Sequence, residues 1–412
     1  MTWRRVSGVA ARKWRDYRVR MVKRAGRAGR TAAVLVTLVV VGAACAACSS
    51  SSSSSPPPAS PAQQLTTGLR QLVIMPGGPP GAIALVQTQA GVRVSTAGVA
   101  DRATGHPVTD GDFMRLASVA KAYNGAVALS LVQQGKLTLT DTIGQLLPGQ
   151  FPVWNAITVA QLLHHTSGLP DYTKAPAFIT QLTVDPTATI TPSQIVGFVA
   201  NQPLHFAPGS QYEYSDTDNI VVGLIVEAVT GQSYESQLAA TVYTPLSLSA
   251  TSLPSTTAMG QPTLRGYALQ KGDPPEDVTA ALSPSGAWAS GGMVSTPSEL
   301  NTFMRAYVAG RLFGPTVQKD QRQFVPGSSG PPGPGVNSAG LAIYRYQTKC
   351  GTVFGHTGNF PGYTMFAAAT SDGSRSVVVA VNTQLNDKKP VSAAYTALRN
   401  VESTAVCAAL AG

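Results

Sequence analysis

Beyond its first thirty residues this chain has no net charge. Residues 1–30 hold eleven Lys or Arg and one acid, Asp16, which accounts for the whole excess of +10; the rest balances at nineteen basic against nineteen acidic residues. A neutral globular part gives a phosphate backbone nothing to grip, so nucleic acid is excluded as a partner. Cysteine is scarce, four in 412 residues, and only Cys350 and Cys407 lie beyond the leader. Histidine is scarce as well. The adjacent His164 and His165 have no Cys, His or carboxylate cluster beside them, so they read as a turn-stabilising pair, and no metal or cofactor is expected. His106 and His205 have no sequence partner and read as structural. No internal repeat is present, and the one long uncharged apolar run is Thr31 to Ala47.

That run follows the basic segment ending at Arg30 and ends in small residues, the pattern of a secretory signal. Met21 opens a more ordinary leader than Met1, so either can be the start. Cys48, or alternatively Cys45, follows two alanines as a lipidated cysteine would, although neither has a good leucine three residues earlier. An uncleaved signal anchor is the alternative, since the stretch is at the short limit of about 17 to 20 residues for a span. Ser49 to Ser55 and the following prolines form a polar tether with nothing to bury. The expected organisation is a signal peptide of lipoprotein type over 1–48, a tether over 49–64 and one folded domain over 65–412. The membrane is then reached by the N-terminal anchor only, and the domain lies outside the cell or on the outer face of its membrane. An even cysteine pair in an exported chain suggests a disulfide between Cys350 and Cys407.

Within the domain, Gly81 to Val86 and Val92 to Ser95 read as strands around a Gly91 turn. Helical patterns follow at Ala122 to Leu131, Val159 to His165, Pro192 to Asn201, Asn219 to Thr230 and Ser298 to Leu312. Gly327 to Gly335 reads as an exposed excursion. Leu341 to Tyr346, Gly362 to Ala368 and Ser376 to Asn382 read as strands, with Asp372-Gly373 as a hairpin signal, and Val391 to Leu410 as a closing helix. The fold class expected is α/β (α+β): an antiparallel sheet built from both termini and flanked by helices, with an inserted, mostly helical lobe and a cleft between them.

The chemistry centres on Ser118-Val119-Ala120-Lys121. Residues i and i+3 share a helix face, so Lys121 can take the proton of a Ser118 hydroxyl at the helix start. Lys121 serves as a base only when its amine is uncharged. Tyr214, in Tyr214-Ser215-Asp216, can pass a proton to a leaving group, and a nearby cationic lysine should ease its ionisation. His356-Thr357-Gly358 fits a strand edge facing the serine, with Gly358 allowing close backbone approach. Trp288 reads equally as a cleft wall or as core. Asp171-Tyr172 reads as loop architecture.

These three motifs, in this order, resemble the serine hydrolases that include class C β-lactamases and actinomycete D-alanyl-D-alanine carboxypeptidases. Leu163-His164-His165-Thr166-Ser167-Gly168-Leu169-Pro170, Phe206-Ala207-Pro208-Gly209 and Gly291-Gly292-Met293-Val294-Ser295-Thr296 support the resemblance, which runs from about residue 65 to the end. It implies acylation of Ser118, proton transfer by Lys121 and Tyr214, and an oxyanion hole from the backbone N–H groups of Ser118 and Asn359. It also implies that His356 and Thr357 help hold a substrate carboxylate, and it supports the Cys350–Cys407 bridge. The implied substrate is a small peptide ending in D-Ala-D-Ala, with a β-lactam or an acyl ester as the alternative. The family motif usually ends in Asn, whose amide binds the acyl side chain; Asp216 stands there instead. A carboxylate accepts hydrogen bonds and can pair with Lys121. This weakens the expectation of β-lactam hydrolysis and leaves open a binding protein without turnover.

Overall fold

The computed structural model describes residues 59–412, and Pro61–Gly412 forms one compact unit. The expected leader, both lipidation candidates and most of the tether lie outside the described residues. Helix α1, Pro61–Ile74, begins four residues inside the segment assigned to the tether. Its buried leucines, Leu65, Leu69 and Leu72, recur at helical spacing.

The chain then enters the sheet through β1 (Gly81–Thr88) and β2 (Gly91–Gly98), and a short β3 (Met114–Arg115) leads into α2 (Ala120–Gln133). The inserted lobe continues with α3 (Val159–Leu163), α4 (Asp216–Thr230), two-residue strands β4 (Tyr267–Ala268) and β5 (Glu276–Asp277), α5 (Trp288–Gly291), β6 (Val294–Ser295) and α6 (Pro297–Val308). Strands β7 (Val325–Pro326), β8 (Val336–Ala339), β9 (Tyr344–Thr348), β10 (Gly351–Phe360), β11 (Tyr363–Ala369) and β12 (Ser376–Val381) follow, then α7 (Ala393–Ala411).

Eight strands form one antiparallel sheet in the order β2-β1-β12-β11-β10-β9-β8-β7, so the two ends of the domain meet at the β1–β12 pair. Side chains alternate across a pleated strand, so each strand feeds two cores. Ile83, Leu85, Ala367 and Val378 face the helical lobe. Ala84, Phe366, Val377 and Val379 face α1 and α7, where Leu398, Val401 and Ala405 pack. With both faces covered, β11 and β12 are buried throughout.

Cys350, in the turn between β9 and β10, is bonded to Cys407 of α7, with Cα atoms 5.2 Å apart. The bridge pins the hairpin that carries β10 to the helix behind the sheet. The segment expected to be an exposed excursion, 327–335, instead packs inward. Ser329, Pro331, Gly333 and Pro334 are buried, and a Cβ on Gly327 would stand 2.6 Å from the Tyr212 ring. Gly and Pro composition marks irregular backbone, not exposure; here the irregularity lets the segment lie flat on aromatic rings.

Candidate active site

Ser118 sits on an abrupt turn. Leu116 N–H donates to Met293 O at 2.9 Å, fixing the end of β3. Ala117 then takes φ +48°, a left-handed conformation that costs a non-glycine residue about 1–2 kcal/mol. The tight turn Ala117–Val119 feeds α2 at Ala120. Ser118 and Lys121 emerge on one face, and Lys121 Nζ donates to Ser118 Oγ at 3.0 Å. The same fully buried amine donates to Asp216 Oδ1 at 2.5 Å and to the Ser290 carbonyl of α5 at 2.7 Å. Three acceptors match the three N–H bonds of an ammonium ion. The contact with Asp216 is the pairing that the sequence made possible.

Tyr214 enters from the segment before α4. Lys121 Nζ lies 5.0 Å from its ring centroid. The phenol oxygen is buried and finds no hydrogen-bond partner among the described residues. Burial and the neighbouring Asp216 carboxylate hold its pKa well above the ordinary value, while the nearby Ser118 hydroxyl pulls it down. Burial and the nearby anion act against the easing of ionisation expected from Lys121, and the phenol stays a proton donor.

Beneath Tyr214 lies an arrangement that the sequence did not reveal. The His165 ring centroid is 4.5 Å from that of Tyr214. Its Nδ1 lies 2.7 Å from Asp218 Oδ2, and Ser167 Oγ donates to Asp218 Oδ1 at 2.5 Å. The Thr217 hydroxyl donates to Pro170 O at 2.6 Å, and Tyr172 N–H donates to the Thr217 oxygen at 3.0 Å. The segment 165–172 is thereby docked onto the first turn of α4, which positions both Tyr214 and Asp216. The two adjacent histidines separate: His164 turns to the Gln323 carbonyl, 2.7 Å away. The partners of His165 stand some fifty positions along the chain, and no local pattern signals them.

Strand β10 supplies the opposite wall. Its pairing with β9 stops at Gly355, so from His356 onward that edge carries no strand. A Cβ on Gly358 would lie 2.5 Å from Leu116 O and 3.2 Å from Ala117 Cβ. This contact brings β10 against the backbone beside Ser118, next to Asn359. The Asn359 side chain is occupied elsewhere: its Nδ2 donates to Leu385 O and Thr364 Oγ1, and its Oδ1 accepts from Gln384.

His356 is fully buried opposite Ala367, on the face of the helical lobe. Its Nδ1 lies 2.5 Å from Thr357 O, while Nε2 has no partner among the described residues. Burial first, then the charge of Lys121, lower its pKa to about 3, so the ring is neutral. Thr357 lies opposite Phe366, whose side chain belongs to the core on the other face. Its hydroxyl donates to Pro331 O at 2.7 Å and lies 2.7 Å from Ser329 Oγ. The expectation that both residues hold a substrate carboxylate meets a neutral ring and a hydroxyl proton already in use. Trp288 resolves toward core: its ring fits over Gly223 and lies 5.0 Å from Tyr234. Asp171 caps the turn that follows it, as expected of loop architecture.

His165, like His356, has its pKa lowered to about 3 by burial and by Lys121. Neither ring should titrate between pH 8 and pH 5, and ring-proton NMR should find two histidines with unchanging shifts there. Each ring protonates near 6.5 when unfolded and near 3 when folded, so each withdraws stability as pH falls from 6.5 toward 3. Buried Glu402, raised to about 7, acts oppositely: its contribution is complete below 4.5 and is lost as pH rises through 7.

Comparison with known proteins follows the same lines. A family model described as Beta-lactamase matches residues 69–401. An Escherichia coli (strain K12) protein named "Putative D-alanyl-D-alanine carboxypeptidase" is 30% identical over 171 residues, which is 40% of this chain and 37% of that one. The chain thus matches little more than a third of that relative's length. The crystal structure of a D-stereospecific amidohydrolase from Streptomyces sp. is 30% identical, with a TM-score of 0.71 over 82% of this chain and 97% of the other. A D-amino acid amidase from Ochrobactrum anthropi SV3 shares the fold at 23% identity, with a TM-score of 0.73 over 84% and 98%.

Proposed function

The chain belongs to the beta-lactamase family, whose members are serine hydrolases, and from this premise we propose that it cleaves amide bonds at D-configured residues through an acyl-enzyme on Ser118. The observation that carries this reading is the 3.0 Å contact of Lys121 Nζ with Ser118 Oγ under a protonated Tyr214. With its amine uncharged, the surplus proton having gone to solvent water, Lys121 takes the hydroxyl proton as Ser118 Oγ bonds to the substrate carbonyl carbon. The backbone N–H groups of Ser118 and Asn359 receive the developing oxyanion. Tyr214 gives its proton to the departing amine and regains one from Lys121. Water then repeats the sequence against the ester and restores Ser118.

A peptide ending in D-Ala-D-Ala is one substrate within this class, and the D-alanyl-D-alanine carboxypeptidase-like relative supports it. The neutral His356 and the engaged Thr357 hydroxyl favour the second, an amide whose leaving group carries no carboxylate. A D-Ala-D-Ala peptide and its C-terminal amide differ only in that group. Turnover of the amide at least as fast as the acid is expected; a tenfold preference for the acid would instead establish the carboxypeptidase reading. We place the domain outside the cytoplasm on the strength of the leader, which mass spectrometry of the mature N-terminus from cell fractions would test.

A further inference from the structure

Arg115 is a buried cation with no anion beside it among the described residues. It ends β3, three positions before Ser118, and is 2% exposed. Its Nη2 donates to the carbonyls of Thr257 and Thr279, each at 3.1 Å. Its Nη1 is buried and finds no hydrogen-bond partner among the described residues. Burial lowers the pKa of the guanidinium, with the Tyr363 phenol acting the other way. The group stays charged even so. A buried charge without a counter-ion is costly, so filling space does not account for an arginine here.

Its place between segments does. The guanidinium carbon lies 5.8 Å from the centroid of the Phe360 ring, within cation–π range. Phe360 ends β10 directly after Asn359, and Gly358, directly before Asn359, is the residue pressed against Leu116 O. Residues 115 and 116 therefore hold both neighbours of Asn359. The inserted lobe closes the same frame. Leu264 N–H donates to Phe113 O at 3.0 Å, and Leu264 O accepts from the Tyr363 hydroxyl at 2.9 Å. Thr279, whose carbonyl Arg115 binds, accepts from Gly266 N–H at 2.9 Å through its hydroxyl. Strand β3 pairs with β6, apart from the eight-stranded sheet that contains β10. No strand pairing thus sets the spacing between the Ser118 turn and Asn359, and cross-ties such as Arg115 must do so.

We infer that Arg115 is a positioning residue for the oxyanion hole: its guanidinium ties the strand leading to Ser118 to the end of β10 and so sets the distance between the Ser118 and Asn359 N–H groups. The inference rests on the acyl-enzyme reading and adds to it a residue outside the three motifs.

Phenylboronic acid is the probe, because its boron bonds a serine oxygen and places a hydroxyl where the oxyanion forms. Its inhibition constant is measured against Ser118-dependent hydrolysis of p-nitrophenyl acetate. That constant does not depend on how much of a sample is folded, so a merely structural role leaves it unmoved. In Arg115→Met it should rise at least tenfold, in step with a fall in kcat/KM. In Phe360→Leu, which leaves the Thr257 and Thr279 contacts in place, it should rise at least threefold. This second variant decides the matter where Arg115→Met does not fold. A smaller rise in either folded variant overturns the inference, while Ser118-dependent turnover by the unaltered protein keeps the acyl-enzyme reading standing. Absence of that turnover in the unaltered protein would remove both.

Discussion

Lys121→Met should lower kcat/KM on any acyl substrate by about a thousandfold, within the range of a lost general base. The side chain is fully buried, and its amine is the common partner of Ser118, Asp216 and Ser290. Methionine keeps the length and apolar body but accepts no proton. It also leaves Asp216 without its cation; because that carboxylate reaches accessible space, the stability cost should fall below the 3–5 kcal/mol of a fully buried broken pair. Lys121→Arg separates the two roles. Arginine preserves the charge and can keep the Asp216 contact, yet does not release a proton at working pH. A folded arginine variant as inactive as the methionine one assigns the loss to proton transfer. Activity within tenfold of the original in Lys121→Met would remove Lys121 as the base.

Gly358→Ala should produce the second large effect. Its Cβ would stand 2.5 Å from Leu116 O and 3.0 Å from Met365 Cγ. The first is a backbone atom that Met293 O holds through the Leu116 N–H, so either β10 or the Ser118 turn must move. Oxyanion donors act at 2.7–3.1 Å, and a misplacement of about 1 Å can cost a hundredfold. We expect kcat to fall by about that factor with KM changing less, together with a lower melting temperature. Gly111→Ala is the control, because nothing lies closer to its Cβ than Thr109 Oγ1 at 3.9 Å. Equal activity of the two variants would mean that the approach of β10 to Ser118 does not matter to the reaction.

What the sequence made legible is local or strongly periodic. The Ser118–Lys121 contact follows from helix geometry, the sheet from continuous apolar runs such as Val377 to Val381, and the close approach at Gly358 from the residue type. What remained hidden depends on contacts between distant segments. His165 finds Asp218 only once segment 165–172 docks on α4. The burial of 327–335 depends on Tyr212, Tyr346 and Thr357, which come from three other segments. The turning of Thr357 toward Pro331 follows from its register opposite Phe366, which no single-strand pattern specifies. The protonation of the Tyr214 phenol was hidden for a related reason: a sequence shows which charges are near in the chain, whereas burial is the largest influence on this group.

The central claim is that one hydroxyl of this chain becomes covalently acylated. Intact-protein mass spectrometry after exposure to a fluorophosphonate probe and to penicillin, followed by peptide mapping, tests it directly. The expected result is a single adduct on Ser118 that is absent from Ser118→Ala. An adduct that survives in Ser118→Ala, or a protein that acquires no mass from either reagent while still turning over an acyl ester, would contradict it.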